Sequence, residues 1–237
     1  MIPGLEVRYN INGSPYISVT QLLDLDPAKG DGLARWEKKM GGPTKAAIVR
    51  GRRALIGSVI HYRIERWLCR YFREPMPTRV KLKWDDGRRA VLSDFNQEMR
   101  DAIASIWSYF EEWVVPLAES GDLVPLYIEK KLWHEDYLYA GTVDLICKYK
   151  GELVIMDWKT ANWLVDDHSY GAQLTAYELA AIKRGVIPRQ ADALYVVRIN
   201  EKHDGVDVHR CARDWPKFER CLNRYYELTG IQPIRPQ

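Results

Sequence analysis

Gly141-Thr-Val-Asp-Leu-Ile-Cys-Lys-Tyr-Lys-Gly-Glu-Leu-Val-Ile-Met-Asp-Trp-Lys-Thr160 reads as two short strands joined by a turn at Lys150-Gly151. The first strand carries Asp144 and the second ends in Asp157-Trp158-Lys159. Strand side chains alternate between faces, so Asp157 and Lys159 project from one side of the sheet and Trp158 from the other. Leu153, Val154, Ile155 and Met156 form an apolar run suited to a buried strand. Charges at the exit of a buried strand are costly unless they are paired or coordinate a metal.

Outward from this pair, residues Leu123 to Lys159 keep a period of two, giving three successive strands. A helix follows over Ser169 to Arg184 and stops at Gly185; then come a strand over Ala191 to Ile199, a hairpin partner over Val206 to Cys211 and a last helix over Trp215 to Leu228. Upstream, a short extended arm turns at Asn12-Gly13, and Ser18 or Thr20 caps a short helix. A second helix covers Leu33 to Met40, and a long helical pattern runs from Thr44 to Phe72 with a break expected near Gly51 or Gly57. Residues 73–92 read as a loop or ragged hairpin with a charged Asp85-Asp86-Gly87-Arg88-Arg89 turn. Ser93 is placed as the cap of a long helix ending near Val115, because Pro116 lacks the N–H a helix needs. The order gives an α/β fold: a central mixed β-sheet flanked by helices. Residues 1–237 read as one domain, with 1–120 a mainly helical lobe and 121–237 the α/β core.

Composition is that of a globular protein with a real core, and no uninterrupted apolar run approaches the ~20 residues that span a bilayer. The N-terminus has no basic stretch followed by an apolar one. The expectation is a cytoplasmic chain without a targeting signal. Net charge is +3 with a pI near 8.6, which permits a polyanionic partner without demanding one. Cys69, Cys147, Cys211 and Cys221 are scattered and form no C-x-x-C pair, so neither a zinc ribbon nor a disulfide framework is indicated.

Three constellations carry chemistry. Asp144 and Asp157 suit Mg2+ or Mn2+, with the Trp158 backbone carbonyl as a further ligand and Lys159 beside them to activate water or stabilise charge. The same residues also suit a plain strand-end ion pair between Asp157 and Lys159. His61 and Glu65 lie four apart on one helix face, as metal ligands or as an ordinary hydrogen-bonded pair. Gln173 and Tyr177 repeat that spacing on the helix after the strands, to contact phosphate or sugar or simply to pack on the sheet. Lys45, Arg50, Arg52, Arg53, Arg63 and Arg66 surround the first of these helices, with Trp36 and Tyr62 as candidate stacking platforms.

Taken in order, Gly57-x-x-x-His61-x-x-x-Glu65, Gly141-Thr-Val-Asp144, Asp157-Trp-Lys159 and Gln173-x-x-x-Tyr177 resemble the motif series of the RecB-like branch of the PD-(D/E)XK nuclease superfamily. Ser18-Val-Thr-Gln-Leu-Leu23 with Leu33-Ala-Arg-Trp36 is similar to the N-terminal region of mitochondrial genome maintenance exonucleases and related phage exonucleases. The resemblance covers about residues 15–180. It implies a restriction-endonuclease-like core, a divalent-metal-dependent DNA exonuclease acting from free ends, and a role in recombination, repair or replication in a bacterial or phage-infected cell. A recombination or single-strand-binding partner would fit that role. It further implies Asp144 and Asp157 as metal ligands for two Mg2+ or Mn2+ ions, Lys159 as the catalytic lysine and His61 as an additional ligand. Glu65 and Glu129 are further metal candidates, Glu129 alternatively pairing with Lys131. Gln173 and Tyr177 would orient DNA or the lysine, and Arg52, Arg53 and Tyr62 would contact DNA. A structure-specific endonuclease and a non-catalytic DNA-binding subunit on the same fold are the alternatives. Val143 stands where the superfamily name places Pro. Iron–sulfur members use one cysteine before the motifs and three clustered after them, a pattern absent here, so no iron–sulfur cluster is expected.

Overall fold

The computed structural model describes residues 5–77, 82–84, 88–161, 169–200 and 205–231. Its elements are β1 (Tyr9–Ile11), β2 (Ser14–Ser18), α1 (Val19–Leu23), α2 (Ala28–Lys39), α3 (Pro43–Tyr71), α4 (Gln97–Ser120), β3 (Leu123–His134), β4 (Tyr139–Tyr149), β5 (Glu152–Lys159), α5 (Tyr170–Lys183), β6 (Ala193–Asn200), β7 (Gly205–Cys211) and α6 (Trp215–Thr229). Among the described residues the strands form one seven-stranded mixed sheet, ordered β1-β2-β4-β5-β6-β7, with β3 paired along the other edge of β4. The turn between β4 and β5 holds both Lys150 and Gly151 at positive φ, 51° and 86°. Two left-handed central residues match the right-handed twist of a tight hairpin, and glycine adopts that backbone without penalty.

Each face of the sheet is covered by helices. Ile146, Ile155 and Leu194 pack with α1, α5 and α6, while Leu145, Met156 and Trp158 pack with α3 and α4. The second layer is rich in rings, with Trp158 meeting Phe110 and Trp113 edge-on at 5.9 and 6.1 Å. Aromatic burial on this scale dominates core energetics, each ring pair adding about 0.5–1.5 kcal/mol beyond its area. Part of the chain's aromatic content is thereby spent on packing.

Pairing around β4 is uneven, and this positions the site. β2 meets β4 only at Tyr139 and Ala140, and β5 meets it only from Leu145 to Tyr149. Between them, Gly141 to Val143 pair only with β3 and Asp144 stands in neither register, leaving a gap where β5 parts from β4.

Several helix bounds differ from the sequence expectations. α3 runs unbroken through Gly51 and Gly57, because buried Leu55, Ile56, Ile60, Ile64 and Leu68 offset a cost of about 1 kcal/mol per helical glycine. α4 is capped by Asn96, whose Oδ1 accepts from the Met99 amide at 2.9 Å; Ser93 lies in the preceding 3-10 turn, Leu92–Asp94. α4 also continues past Pro116 to Ser120, held by the stripe Met99, Ala102, Ile106, Phe110, Val114 and Ala118. Packing of that stripe outweighs the ~3 kcal/mol that an interior proline costs. α2 starts at Ala28, five residues earlier than the periodicity indicated. The N-terminal arm forms β1 and β2 within the sheet. Of the charged turn after Trp84, Asp85 to Gly87 lie outside the described residues; Lys83 and Arg89 beside it form an antiparallel bridge.

α5 is clamped to the segment before α6. A Cβ on Gly171 would lie 2.3 Å from the Ala212 carbonyl oxygen, and Asp214 N donates to Thr175 Oγ1 at 3.0 Å. Arg213 grips the buried Glu178 carboxylate with two hydrogen bonds of 2.7 Å, and Glu178 also accepts from Ala191 N. Gly171→Ala is expected to cost about 1–3 kcal/mol by overpacking against backbone. Gly32→Ala, on α2 with open space around it, is expected to add about 0.5–1 kcal/mol. Urea denaturation of both variants checks the contrast.

Candidate active site

Asp144 sits opposite Asp157 where the β4–β5 ladder ends after the Leu145–Met156 pair. In place of the next backbone bond, Asp144 Oδ2 accepts from Trp158 N at 2.8 Å. Both carboxylates are buried and share the α5 side with Ile146 and Ile155. Lys159 follows on the same side, its Nζ in an ion pair with Asp157 Oδ2 and 5.5 Å from the Tyr170 ring centroid. Trp158 points into the opposite core.

α3 reaches this gap from the other layer. His61 Nε2 lies 3.0 Å from the Trp158 carbonyl oxygen, and its Nδ1 lies 3.5 Å from Asp144 Oδ2. With Nε2–H donating to that carbonyl, Nδ1 is directed at the carboxylate. Gly57, one turn earlier, permits the approach: a Cβ there would lie 3.2 Å from Thr160 Oγ1.

Glu129 completes the cluster from β3. The ladder pairs Ile128 with Leu145 and Lys130 with Val143, placing Glu129 across from Asp144. Its φ of 47° is left-handed, a strained conformation for a non-glycine residue that costs about 1–3 kcal/mol and concentrates at functional sites. Ligand atoms of His61, Glu129 and Asp144 all lie within 4.8 Å of one another. One imidazole and two carboxylates at that spacing are a donor set suited to a divalent cation such as Mn2+.

The electrostatics follow from burial. Burial pushes the Glu129 carboxyl up to about 8, with Asp144 adding to the shift. Burial works against the His61 imidazolium, but Asp144 and then Asp157 outweigh it and raise its pKa to about 9. Burial likewise opposes ionisation of Asp144, yet His61, Lys159 and the Trp158 amide hold it below the usual carboxylate range. Asp157 is pushed up by burial, with Lys159 pulling the other way. Lys159 is raised because Asp157 and Asp144 together overcome its desolvation. Protons on His61 and Glu129 thus occupy places that a divalent cation would contest.

The structure brings together His61, Glu129, Asp144, Asp157 and Lys159. Glu65 lies one turn beyond His61, half-buried, near enough to Glu129 to raise its pKa. Gln173 reaches Asp157 rather than Lys159: its Nε2 donates to Asp157 Oδ1 at 2.9 Å and to Tyr177 Oη at 3.2 Å. Tyr177 is buried against Gly141, where a Cβ would lie 2.5 Å from its Cε1. Tyr62 stacks under Arg66 at 5.6 Å, Arg52 is exposed and Arg53 half-buried. The Tyr170 ring beside Lys159 has no signal in the sequence, because it is a helix-start residue brought back to the strand end by the tertiary fold.

A family model described as the PD-(D/E)XK nuclease superfamily matches residues 34–235. No curated protein matches the chain. Eleven chains of known structure match. One, titled "Crystal structure of SSO0001", is 14% identical with a TM-score of 0.35, covering 55% of this chain and 61% of its own length. The chain thus spans about three fifths of that protein. Among the described residues, no helix is long and apolar enough to cross a membrane.

His61 and Glu129 both have folded-state pKa values raised from ordinary ones of 6.5 and 4.5. Their contribution to stability is complete below those ordinary values and is lost as pH rises through about 8 for Glu129 and about 9 for His61. In EDTA, the melting temperature is therefore expected to fall between about pH 4.5 and about pH 9, and Glu129→Gln to flatten the lower part of that fall. Mn2+ should raise the melting temperature more at the alkaline end, where ligands need not first lose protons. Thermal melts across pH, with and without Mn2+, check both signs.

Proposed function

Because the chain belongs to the PD-(D/E)XK nuclease superfamily, we propose that it is a divalent-metal-dependent exonuclease that hydrolyses phosphodiester bonds from DNA ends. The observation that carries this reading is the convergence of His61, Glu129 and Asp144 beside the Asp157–Lys159 pair. Placement of a helix-borne histidine against Asp144 supports the RecB-like branch. Asp144, Asp157 and His61 are the proposed holders of Mg2+ or Mn2+, as two ions, with Glu129 and Glu65 completing the set. The Trp158 carbonyl, which accepts from His61, would be a further oxygen ligand. A bound ion supplies Lewis acidity, lowering the pKa of the attacking water and neutralising charge on the phosphate.

Lys159 presents an ammonium at the same position, held charged by two carboxylates, to stabilise negative charge as it develops on the phosphate. Gln173 fixes Asp157 through Oδ1, so that Oδ2 stays on the side of Lys159. Tyr177 anchors Gln173 from behind. Trp158 seals the base of the site with the ring-rich core. Arg52, Arg53 and Tyr62 on α3 are the proposed first contacts to DNA, and processing of ends in repair, recombination or replication is the fitting role.

Asp157→Ala and Lys159→Ala are each expected to reduce cleavage of end-labelled linear DNA on the order of 10³-fold, the scale for removing a group that meets transition-state charge. Covalently closed circular DNA should remain intact. Cleavage of closed circles would replace the exonuclease reading with an endonuclease, and activity surviving either substitution would remove the assigned centre.

A further inference from the structure

Positive charge is concentrated in one projecting part of the molecule. Residues 34–53 carry Arg35, Lys38 and Lys39 on α2 and Lys45, Arg50, Arg52 and Arg53 on α3, against a single carboxylate, Glu37. That is +6 in a chain whose total is +3, so everything else sums to −3. Charge so polarised is a physical footprint for a polyanion, whatever the overall pI.

This region stands out from the body. Ala47, Ile48, Val49 and Arg50 are all exposed. Four consecutive helical residues sweep more than a full turn, so this stretch of α3 meets solvent all round, apart from the side where Ala46 is buried. α2 folds back along α3 through Gly41 and Gly42, at φ 85° and 111°, and Arg50 pairs with Glu37 at 3.7 Å. The result is a helical arm continuous with the helix that delivers His61.

Aliphatic side chains lie among the cations. Ile48 is 51% and Val49 38% exposed, between Lys45 and Arg52. A duplex offers such a surface chiefly phosphates, whereas a single strand also offers unstacked base faces that apolar groups can cover. We propose that the α2–α3 arm is a single-strand DNA-binding track, outside the catalytic centre, that holds the strand as it runs to the site. The proposal rests on the DNA-cleaving reading above and extends its contacts at Arg52 and Arg53 outward along the arm. Lys45 precedes His61 by sixteen positions on one helix, about 24 Å at 1.5 Å per residue. That length can carry a run of several nucleotides of an extended single strand.

Binding of fluorescein-labelled oligo-dT to the full chain, measured by anisotropy in EDTA across a salt series, tests the track without any cleavage. Affinity is expected to climb with oligonucleotide length until the strand spans the arm, then level off. Lys38→Ala, Lys39→Ala and Lys45→Ala combined should make the slope of log K against log salt less negative by about 2, at about 0.7 per phosphate contact. The same term predicts about 100-fold weaker binding near 0.1 M salt. Ile48→Ser with Val49→Ser should weaken binding while leaving the slope unchanged. The pair Arg220→Ala with Arg224→Ala, on exposed positions of α6, should alter neither. An unchanged slope in the triple variant, an equal loss in the α6 variant, or tighter binding of a duplex of equal length would each overturn the track. Arm-dependent binding in a protein that cleaves no DNA with Mg2+ or Mn2+ would support the track and sink the nuclease reading separately.

Discussion

Asp144 takes the hydrogen bond that the β4–β5 ladder would otherwise make: its carboxylate, not a backbone carbonyl, accepts from the Trp158 amide. The rest of the site depends on that substitution. It ends strand pairing without leaving a buried donor unsatisfied, which would cost about 1–3 kcal/mol. It also opens the gap through which His61 crosses from the α3 layer. Buried carboxylates at such a point need compensation, and they receive it from His61, Lys159 and the glutamine of α5.

The two helical layers therefore do unequal work. α5 is a fixed wall, clamped through Gly171, Thr175 and Glu178, and from it Gln173 and Tyr177 reach the back of Asp157. α3 is both wall and arm. Its middle and C-terminal turns bury Ile60, Ile64 and Leu68, while its first turns are exposed and basic. One continuous helix thereby joins a charged surface to a metal-ligand candidate, and its passage through Gly57 lets it lie close to the end of β5.

Strain and protonation converge on the same spot. Glu129 holds a left-handed backbone within a strand, beside Asp144, and its carboxyl favours the protonated form near neutrality. Such features persist only where surrounding structure over-determines them. Here the flanking pairs to Leu145 and Val143 fix the strand on both sides of the distorted residue.

Much of this was legible in the chain itself. The period of two through β3, β4 and β5, the Lys150-Gly151 turn and the shared face of Asp157 and Lys159 follow from local rules, because alternation and turn geometry act between near neighbours; the grouping of His61 with Asp144 came only from the resemblance in motif order. The superfamily and its mixed sheet followed from the order of those motifs. Helix bounds at Ser93, Gly57 and Pro116 were misjudged, because packing of a buried stripe overrides propensity and local caps compete with one another. Long-range placement was decided only by the tertiary fold. No spacing shows that Gln173 turns to Asp157, that Tyr177 fills the space over Gly141, or that Glu129 twists beside Asp144. The sequence determined which chemistries the chain carries; packing of two helical layers across one interrupted strand pair decided which of them meet.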